Sequence, residues 1–437
     1  MPLSDEETLA QLSQAVHDGE TVLLHGPGGC GKTFQLRNLA SQLVDEGKVV
    51  AMTAFTGVAA INLNVPEKKI KSRTLNSWSG IGLGKESAEK LATKVQLDKR
   101  ARDRWNKTDV LMCDEVSMIG AMLFSKLDYV ARKVRNCDEP FGGLQVIYSG
   151  DFLQLPPVKD DWVFNCPEWD DTPLRPFSFK EPKRYDDRAW FETLLRIRIG
   201  KPSQEDIQLL YSRLAAYEQL MRTLRPTDVR PTTLYSRRID VTSMNHIEMD
   251  KLSSEEVSYE SIDMFTAYKR GTKADAYETQ IDETISKTIK LKIGAQVMLK
   301  ANLSVETGLV NGSRGVVVTT GEDFVNVKFV SGRVERIERW RWSNEDDSGA
   351  YIRDQIPLIL AWSLTIHQVQ GATLDYAIID LGRSVFEDNQ AYVALGRVRS
   401  IGGVFLSAFV EESIRASTEA LRYVAVLEET ERMLGNS

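Results

Sequence analysis

Eight residues carry the clearest chemistry in the chain: Gly26-Pro27-Gly28-Gly29-Cys30-Gly31-Lys32-Thr33 follows a short apolar run and precedes a helix-period stretch, 34–43. Glycines at this spacing let successive backbone N–H groups curl around phosphate oxygens, and the helix N-terminus behind them adds its dipole. Lys32 is placed to neutralise the β- and γ-phosphates, and the Thr33 hydroxyl to ligate Mg²⁺. Cys30 occupies a variable position of the loop and reads as filler. Asp114-Glu115 closes the apolar run DVLMC. The first acid can hold Mg²⁺ through water and the second can orient or deprotonate an attacking water. Alone, such a pair commonly just ends a strand; behind a phosphate loop it reads as hydrolytic. In Gly150-Asp-Phe-Leu-Gln154-Leu-Pro156-Pro-Val158, Gln154 can sense a γ-phosphate and the stiff Pro-Pro segment can carry that signal to a neighbouring groove. Standing alone, this segment would read as a proline-stiffened connector.

These groups need a scaffold that delivers them to one place. Short β-rich apolar runs at 21–25, 48–53, 109–113 and 144–149 each end in one of the turns above or in AFTG. Runs of this kind, separated by helix-period stretches such as 121–134, predict parallel strands buried on both faces, with ligands at their carboxyl ends. Similar runs recur at 232–235, 376–380 and 403–409. Between them, alternating segments bounded by turns such as NGSRG and SGRV predict a small antiparallel barrel inserted into a second α/β domain.

At 437 residues the chain predicts two or three domains, and its 42% hydrophobic and 27% charged residues argue against wholesale disorder. A net charge of −7 weighs against a basic nucleic-acid coat but says nothing about a local groove. No apolar run reaches membrane-spanning length, and the acidic start MPLSDEETLA is unlike a signal peptide. Four cysteines without paired spacing and four scattered histidines predict reduced thiols, an intracellular protein and no Cys/His metal site. The basic stretches 66–73 and 94–107 read either as solvated faces or as a phosphate-contacting edge.

The motifs GPGGCGKT, TAFTGVAA, RTLNSWSGIGLG, DEVSM, FGGLQVIYSGDFLQLPPV, GAQVMLKANLSVETGLVNGSRGVVV, IPLILAWSLTIHQVQGATLD and QAYVALGRVRS stand in the order and spacing of the Pif (petite integration frequency) helicases. The chain resembles that family from about residue 3 to residue 407, over the helicase core. The resemblance implies an α/β fold of two RecA-like P-loop motor domains. The first, 1–180, would carry a small insertion near 62–76; the second, 181–256 and 350–437, would carry the small β-barrel, 257–349. It implies ATP and Mg²⁺ as cofactors. Catalysis would fall to Lys32, Glu115, Gln154, Arg184 and Arg397, the last three reaching the γ-phosphate across the cleft between the domains. Gly26 to Thr33 would bind nucleotide, with Thr33 and Asp114 on the metal. Thr53, Thr56, Gly57, Asn76 and Pro156 would contact single-stranded DNA from the first domain, and Asn311, His367 and Gln370 from the second.

The family moves 5′-to-3′ on single-stranded DNA and opens duplexes, R-loops or G-quadruplexes in replication, repair, recombination or telomere maintenance. Single-stranded DNA, its junctions with duplex, G-quadruplexes and RNA–DNA hybrids are therefore the expected partners of a monomer acting at DNA inside the cell, in the nucleus or mitochondrion of a eukaryote or the cytoplasm for a bacterial or viral protein. The sequence departs from the family pattern at Glu7, where Gln is usual in adenine recognition, at Asn76 for His, and at Gln368-Val369 for Lys-Ser. Taken singly, His367 reads more readily as a buried, hydrogen-bonded histidine; Trp78 and Trp362 could stack bases, with core packing the better reading for Trp362 inside LILAWSL. An ATPase switch and a small-molecule kinase are the competing functions; Glu115 disfavours the kinase.

Overall fold

The computed structural model describes residues 5–435, except 83, 225–229, 269–270, 283–284, 302, 305–306, 308, 310 and 346–348. The chain divides into two compact units, one of Met1–Ile207, Phe386–Ile401 and Glu411–Ser437, the other of Gln208–Val385 and Gly402–Val410.

The first unit is built on β1 (Thr21–His25), β2 (Val50–Ala54), β3 (Arg73–Thr74), β4 (Val110–Asp114), β5 (Gln145–Ser149) and β6 (Leu174–Ser178). All pair in parallel, in the order β3-β2-β4-β5-β1-β6. Period-two alternation sends neighbouring residues to opposite faces, and here both faces are core. Leu23, Leu111, Cys113, Val146 and Tyr148 join one apolar cluster. Val22, Leu24, Val110, Met112 and Ile147 join the other. The expected strands therefore lie within two residues of their predicted ends. β6 escaped the sequence reading because it contains Pro176, tolerated here on an edge strand that pairs only with β1.

The helix Ala121–Arg135 covers the first face through Phe124, Leu127, Val130, Ala131 and Val134. The basic stretch 94–107 resolves into a solvated face: Val95, Ala101 and Trp105 are buried, and Trp105 packs on Trp78 at 4.5 Å between ring centroids. Trp78 is thus a core residue, as is Trp362 in the second unit. The segment expected as a small insertion, 62–76, is a tight turn with Val65 bridged to Ile70, followed by β3 and the helix Leu75–Ser79.

The expected domain boundaries differ from the observed units. Residues 181–207, 386–401 and 411–435, assigned by resemblance to the second domain, pack with the first. The C-terminal helix Thr418–Gly435 buries Ala420, Val424 and Leu427 in the first unit's core. Trp169 Nε1 donates to the Tyr423 hydroxyl at 2.6 Å, and Ser178 N to Glu431 at 2.7 Å. A stripe at positions i, i+4 and i+7 demands burial but does not encode against which sheet.

The second unit has a parallel sheet of β7 (Thr232–Tyr235), β18 (Ser363–Thr365), β19 (Ala377–Leu381) and β20 (Val404–Phe409), ordered β18-β7-β19-β20. Between β7 and β18 lie β8 (Val257–Glu260), β9 (Ile262–Ala267), β10 (Thr288–Leu291), β11 (Gln296–Leu299), β12 (Arg314–Thr320), β13 (Phe324–Phe329), β14 (Val334–Glu338), β15 (Trp340–Glu345), β16 (Gly349–Gln355) and β17 (Leu358–Leu360). They form antiparallel sheets β14-β13-β12-β11-β17, β15-β16-β9 and β10-β8 around one apolar cluster. The insertion therefore runs to Leu360 rather than ending at 349. The reason is visible in β16, whose buried positions Tyr351, Arg353 and Gln355 put a charge where alternation predicts an apolar residue. Arg353 is held by Asp263 at 2.8 Å, Asp282 at 2.5 Å and the Ile285 carbonyl at 2.9 Å.

Candidate nucleotide site and nucleic-acid grip

β1 runs straight into the phosphate loop, and two glycines there are dictated by sterics. Gly26 has φ +125°, and a Cβ on it would sit 2.3 Å from the Phe179 carbonyl oxygen. Gly29 has φ +85°, and a Cβ would strike the Tyr185 ring at 2.7 Å. Lys183 N and Arg184 N both donate to the Gly29 carbonyl, at 2.8 and 3.0 Å, fastening segment 183–185 over the loop. The helix Lys32–Asp45 starts at Gly31, so the N–H groups of its first turn point into the cradle.

Lys32 is buried, its ammonium donating to the Gly26 and Pro27 carbonyls at 2.7 and 2.8 Å. The Thr33 hydroxyl donates to Asp114 Oδ2 at 2.8 Å, bringing together the two residues expected on the metal. Two hard oxygen donors fit Mg²⁺, which completes its shell with water and phosphate. Among the described residues no group of three or more His, Cys, Asp or Glu is placed to hold a metal. Glu115, beside Asp114, takes φ +58°, a left-handed backbone unusual for a non-glycine residue. Cys30 is buried and its thiol is pushed up to about 11 by that burial, so it is an inert wall of the loop. All four cysteines are free.

The third group gathers at Gly28. A Cβ placed there would lie 3.4 Å from Gln154 Nε2, 3.4 Å from the Tyr392 hydroxyl and 3.6 Å from Arg397 Nη2. Gln154, Arg397 and Tyr392 are all buried. Arg184 Nη1 donates to the Gly396 carbonyl at 3.1 Å, one residue before Arg397. Burial first, and then the Arg184 charge, brings the Arg397 guanidinium down to about 10. The five residues expected to be catalytic thus belong to one compact unit; Arg184 and Arg397 were expected on the other. Three residues at this site carry no expectation from the sequence: Tyr392, Asp151 and Arg198. Tyr392 and Asp151 stand inside the motifs QAYVALGRVRS and GDFLQLPPV, whereas Arg198 had no signal of its own.

The expected DNA contacts fare unevenly. Thr53 is fully buried and its hydroxyl donates to the Met112 carbonyl at 2.8 Å, so its side chain braces the sheet. Thr56 is half-buried and caps the turn at Gly57, accepting from Ala59 N at 3.2 Å. Asn76 lies on the helix Leu75–Ser79, with Oδ1 buried and unpartnered, and Pro156 is half-buried. In the second unit Asn311 and His367 are half-buried. Burial, then the Arg238 charge, lowers the His367 pKa, favouring the neutral ring. Gln370 is buried, and supports the turn through its N–H to the His367 carbonyl at 3.3 Å. Gln368, a departure from the family pattern, accepts from Thr365 N at 2.9 Å and locks the same turn.

A phosphate loop, a paired Thr and Asp, and a second acid at the ends of a parallel sheet define a P-loop NTPase of RecA-like architecture. The match narrows further. The chain belongs to the PIF1-like helicase family: the model of that name matches residues 4–162, and that of the "DNA helicase Pif1, 2B domain" matches 280–319. It is 30% identical to the ATP-dependent DNA helicase Pif1 of Bdellovibrio bacteriovorus over 432 residues, covering 97% of this chain and 93% of that protein. It is 35% identical to the ATP-dependent DNA helicase PIF1 of Danio rerio over 445 residues, all of this chain but only 65% of the relative's length. The crystal structure of Pif1 helicase from Candida albicans superposes with a TM-score of 0.79 at 30% identity, covering 98% of this chain and 100% of that one. That of Pif1 helicase from Bacteroides in complex with ADP-AlF3 and ssDNA gives 0.69 at 25% identity, covering 99% and 98%.

Proposed function

We propose that this chain is an ATP-driven, Mg²⁺-dependent DNA helicase that translocates 5′-to-3′ along single-stranded DNA and opens duplex or structured DNA ahead of it. The observation that carries the reading is the convergence of Lys32, the Thr33–Asp114 pair, Gln154, Arg184 and Arg397 on one phosphate loop. Burial first, and then the Arg184 charge, depress the Arg397 guanidinium, and a polyphosphate bound beside the two arginines would relieve both. The relatives' printed names, ATP-dependent DNA helicase, and the ADP-AlF3 and ssDNA of the Bacteroides complex support it.

In this reading Lys32 and the loop amides hold the β- and γ-phosphates. Glu115 takes a proton from the attacking water as the water oxygen bonds to the γ-phosphorus and the bond to the β,γ-bridging oxygen breaks. Arg397 and Arg184 stabilise the charge on the transferring group, and Gln154 reports its presence. Mg²⁺, held by Thr33 and Asp114, supplies charge neutralisation when bound. Directed stepping needs a DNA grip on each unit. Thr56, Gly57, Asn76 and Pro156 provide one, and Asn311, His367 and the turn braced by Gln370 the other; an acidic chain can bind through a few such placed contacts. R-loops, G-quadruplexes and RNA–DNA hybrids are the structured substrates, and the unit of action is a monomer.

The test is ATP hydrolysis with and without single-stranded DNA. The reading requires stimulation by the strand; hydrolysis indifferent to it would leave an ATPase switch instead.

A further inference from the structure

One buried hydroxyl at this site does two things at once. Tyr392 lies on the short helix Gln390–Leu395, and its hydroxyl accepts from Gly28 N at 2.8 Å while donating to Asp151 Oδ2 at 3.2 Å. Its one proton is committed to Asp151 and one lone pair to Gly28 N, and burial raises its pKa well above the usual tyrosine value, so it stays a neutral hydroxyl. Asp151 is immobilised in turn by Arg198, with Nη2 at 2.6 Å and Nε at 3.1 Å. Asn389, at the start of the same helix, donates to the Arg198 carbonyl at 2.8 Å. Arg397 follows on that segment, its Nε donating to the Val393 carbonyl at 2.9 Å.

The segment that bears Arg397 is thus bonded directly to the phosphate loop by the Tyr392 phenol, beside the indirect tie in which Arg184 and Tyr185 donate to the Gly396 carbonyl at 3.1 and 3.0 Å. We propose that Tyr392 is a positioning residue: its hydroxyl registers the Arg397-bearing segment against Gly28, and so sets the rate of phosphoryl transfer rather than the affinity for nucleotide. This rests on the ATPase reading above. Affinity is set elsewhere, by Lys32, the other loop amides and the helix dipole. Rate is sensitive because an arginine finger displaced by about 1 Å can lose on the order of a hundredfold in turnover. Removing the hydroxyl also frees the Gly28 N–H to donate to a phosphate oxygen, so nucleotide binding holds or tightens.

The test is Tyr392→Phe in the full chain, which deletes one oxygen and keeps the ring in the core. Dissociation constants for ADP and ATP, DNA-stimulated kcat and the melting temperature are measured together, in wild type and in an Arg397→Lys background. The expected result is a kcat lowered about tenfold or more with nucleotide affinity unchanged or tighter. In the Arg397→Lys background the second substitution adds little, because both act through one group. An unchanged kcat overturns the proposal. So does weakened nucleotide binding in step with kcat, or a lowered melting temperature accounting for the loss, or additivity of the two substitutions. If wild type itself fails to hydrolyse ATP, the ATPase reading falls and this proposal with it, an outcome distinct from those four.

Discussion

The Thr33 hydroxyl donates to Asp114 Oδ2 at 2.8 Å across 81 residues of chain, joining the first turn of one helix to the end of a strand two places away in the sheet. That bond sets two oxygen donors side by side, as the proposed Mg²⁺ site requires, with Glu115 the next residue along.

Lys32 should be indispensable. Its ammonium is held over the loop by the Gly26 and Pro27 carbonyls. Lys32→Ala removes the compensation of the β/γ charge, worth on the order of a hundredfold or more in kcat at a pre-organised site. ATP hydrolysis by a folded Lys32→Ala variant at more than a few percent of wild-type turnover, on that ~100-fold scale, contradicts the assignment.

Glu115→Gln keeps the shape and loses the base. The variant should bind ATP and single-stranded DNA with wild-type affinity yet stall, leaving the Thr33–Asp114 pair in place. Filter binding and turnover measured on one preparation decide it; unwinding at near wild-type rate would assign the proton to another group.

Arg397→Lys keeps a charge and loses the planar fork. Nucleotide affinity should hold, since the loop amides are untouched, while DNA-stimulated turnover falls by about 10³. If turnover survives and unwinding fails, Arg397 serves the DNA grip.

The Asp151–Arg198 pair is buried and makes a stability prediction. Burial alone would raise the Asp151 carboxyl; the Arg198 guanidinium overrides it and holds the pKa below the usual carboxylate range. A depressed folded pKa gives stability that is complete above the unfolded value of about 3.9 and is lost as pH falls through the folded one. Arg198→Leu strands a buried carboxylate and should cost about 3–5 kcal/mol at pH 7 in urea unfolding. The loss should shrink below about pH 4, where Asp151 protonates in the unfolded chain. Wild-type stability of Arg198→Leu at pH 7 would refute the pairing.

The phosphate loop was legible because its demands are local: glycines at fixed offsets, then Lys-Thr at a helix start. The strands were legible for a similar reason, as apolar runs buried on both faces. What stayed hidden depends on distance. Tyr392 meets Gly28 across 364 residues, and nothing in the composition of either segment announces the meeting. The C-terminal helix Thr418–Gly435 buries Ala420, Val424 and Leu427 against a sheet far back in the chain, and residues 181–207, 386–401 and 411–435 all fall in the unit other than the expected one. Arg353 broke the alternation of β16 because its charge is neutralised by Asp263 and Asp282, far along the chain. Thr53 stood in the right motif, yet its hydroxyl faces the neighbouring strand.

The central claim is that hydrolysis at this loop drives directed movement along DNA. The most direct measurement compares ATP-dependent opening of matched duplexes bearing a 5′ or a 3′ single-stranded tail, with Glu115→Gln as the hydrolysis-dead control. Preferential opening of the 5′-tailed duplex by wild type, and of neither by the variant, is the predicted result. Opening of the 3′-tailed duplex alone, or equal opening by the variant, would contradict it.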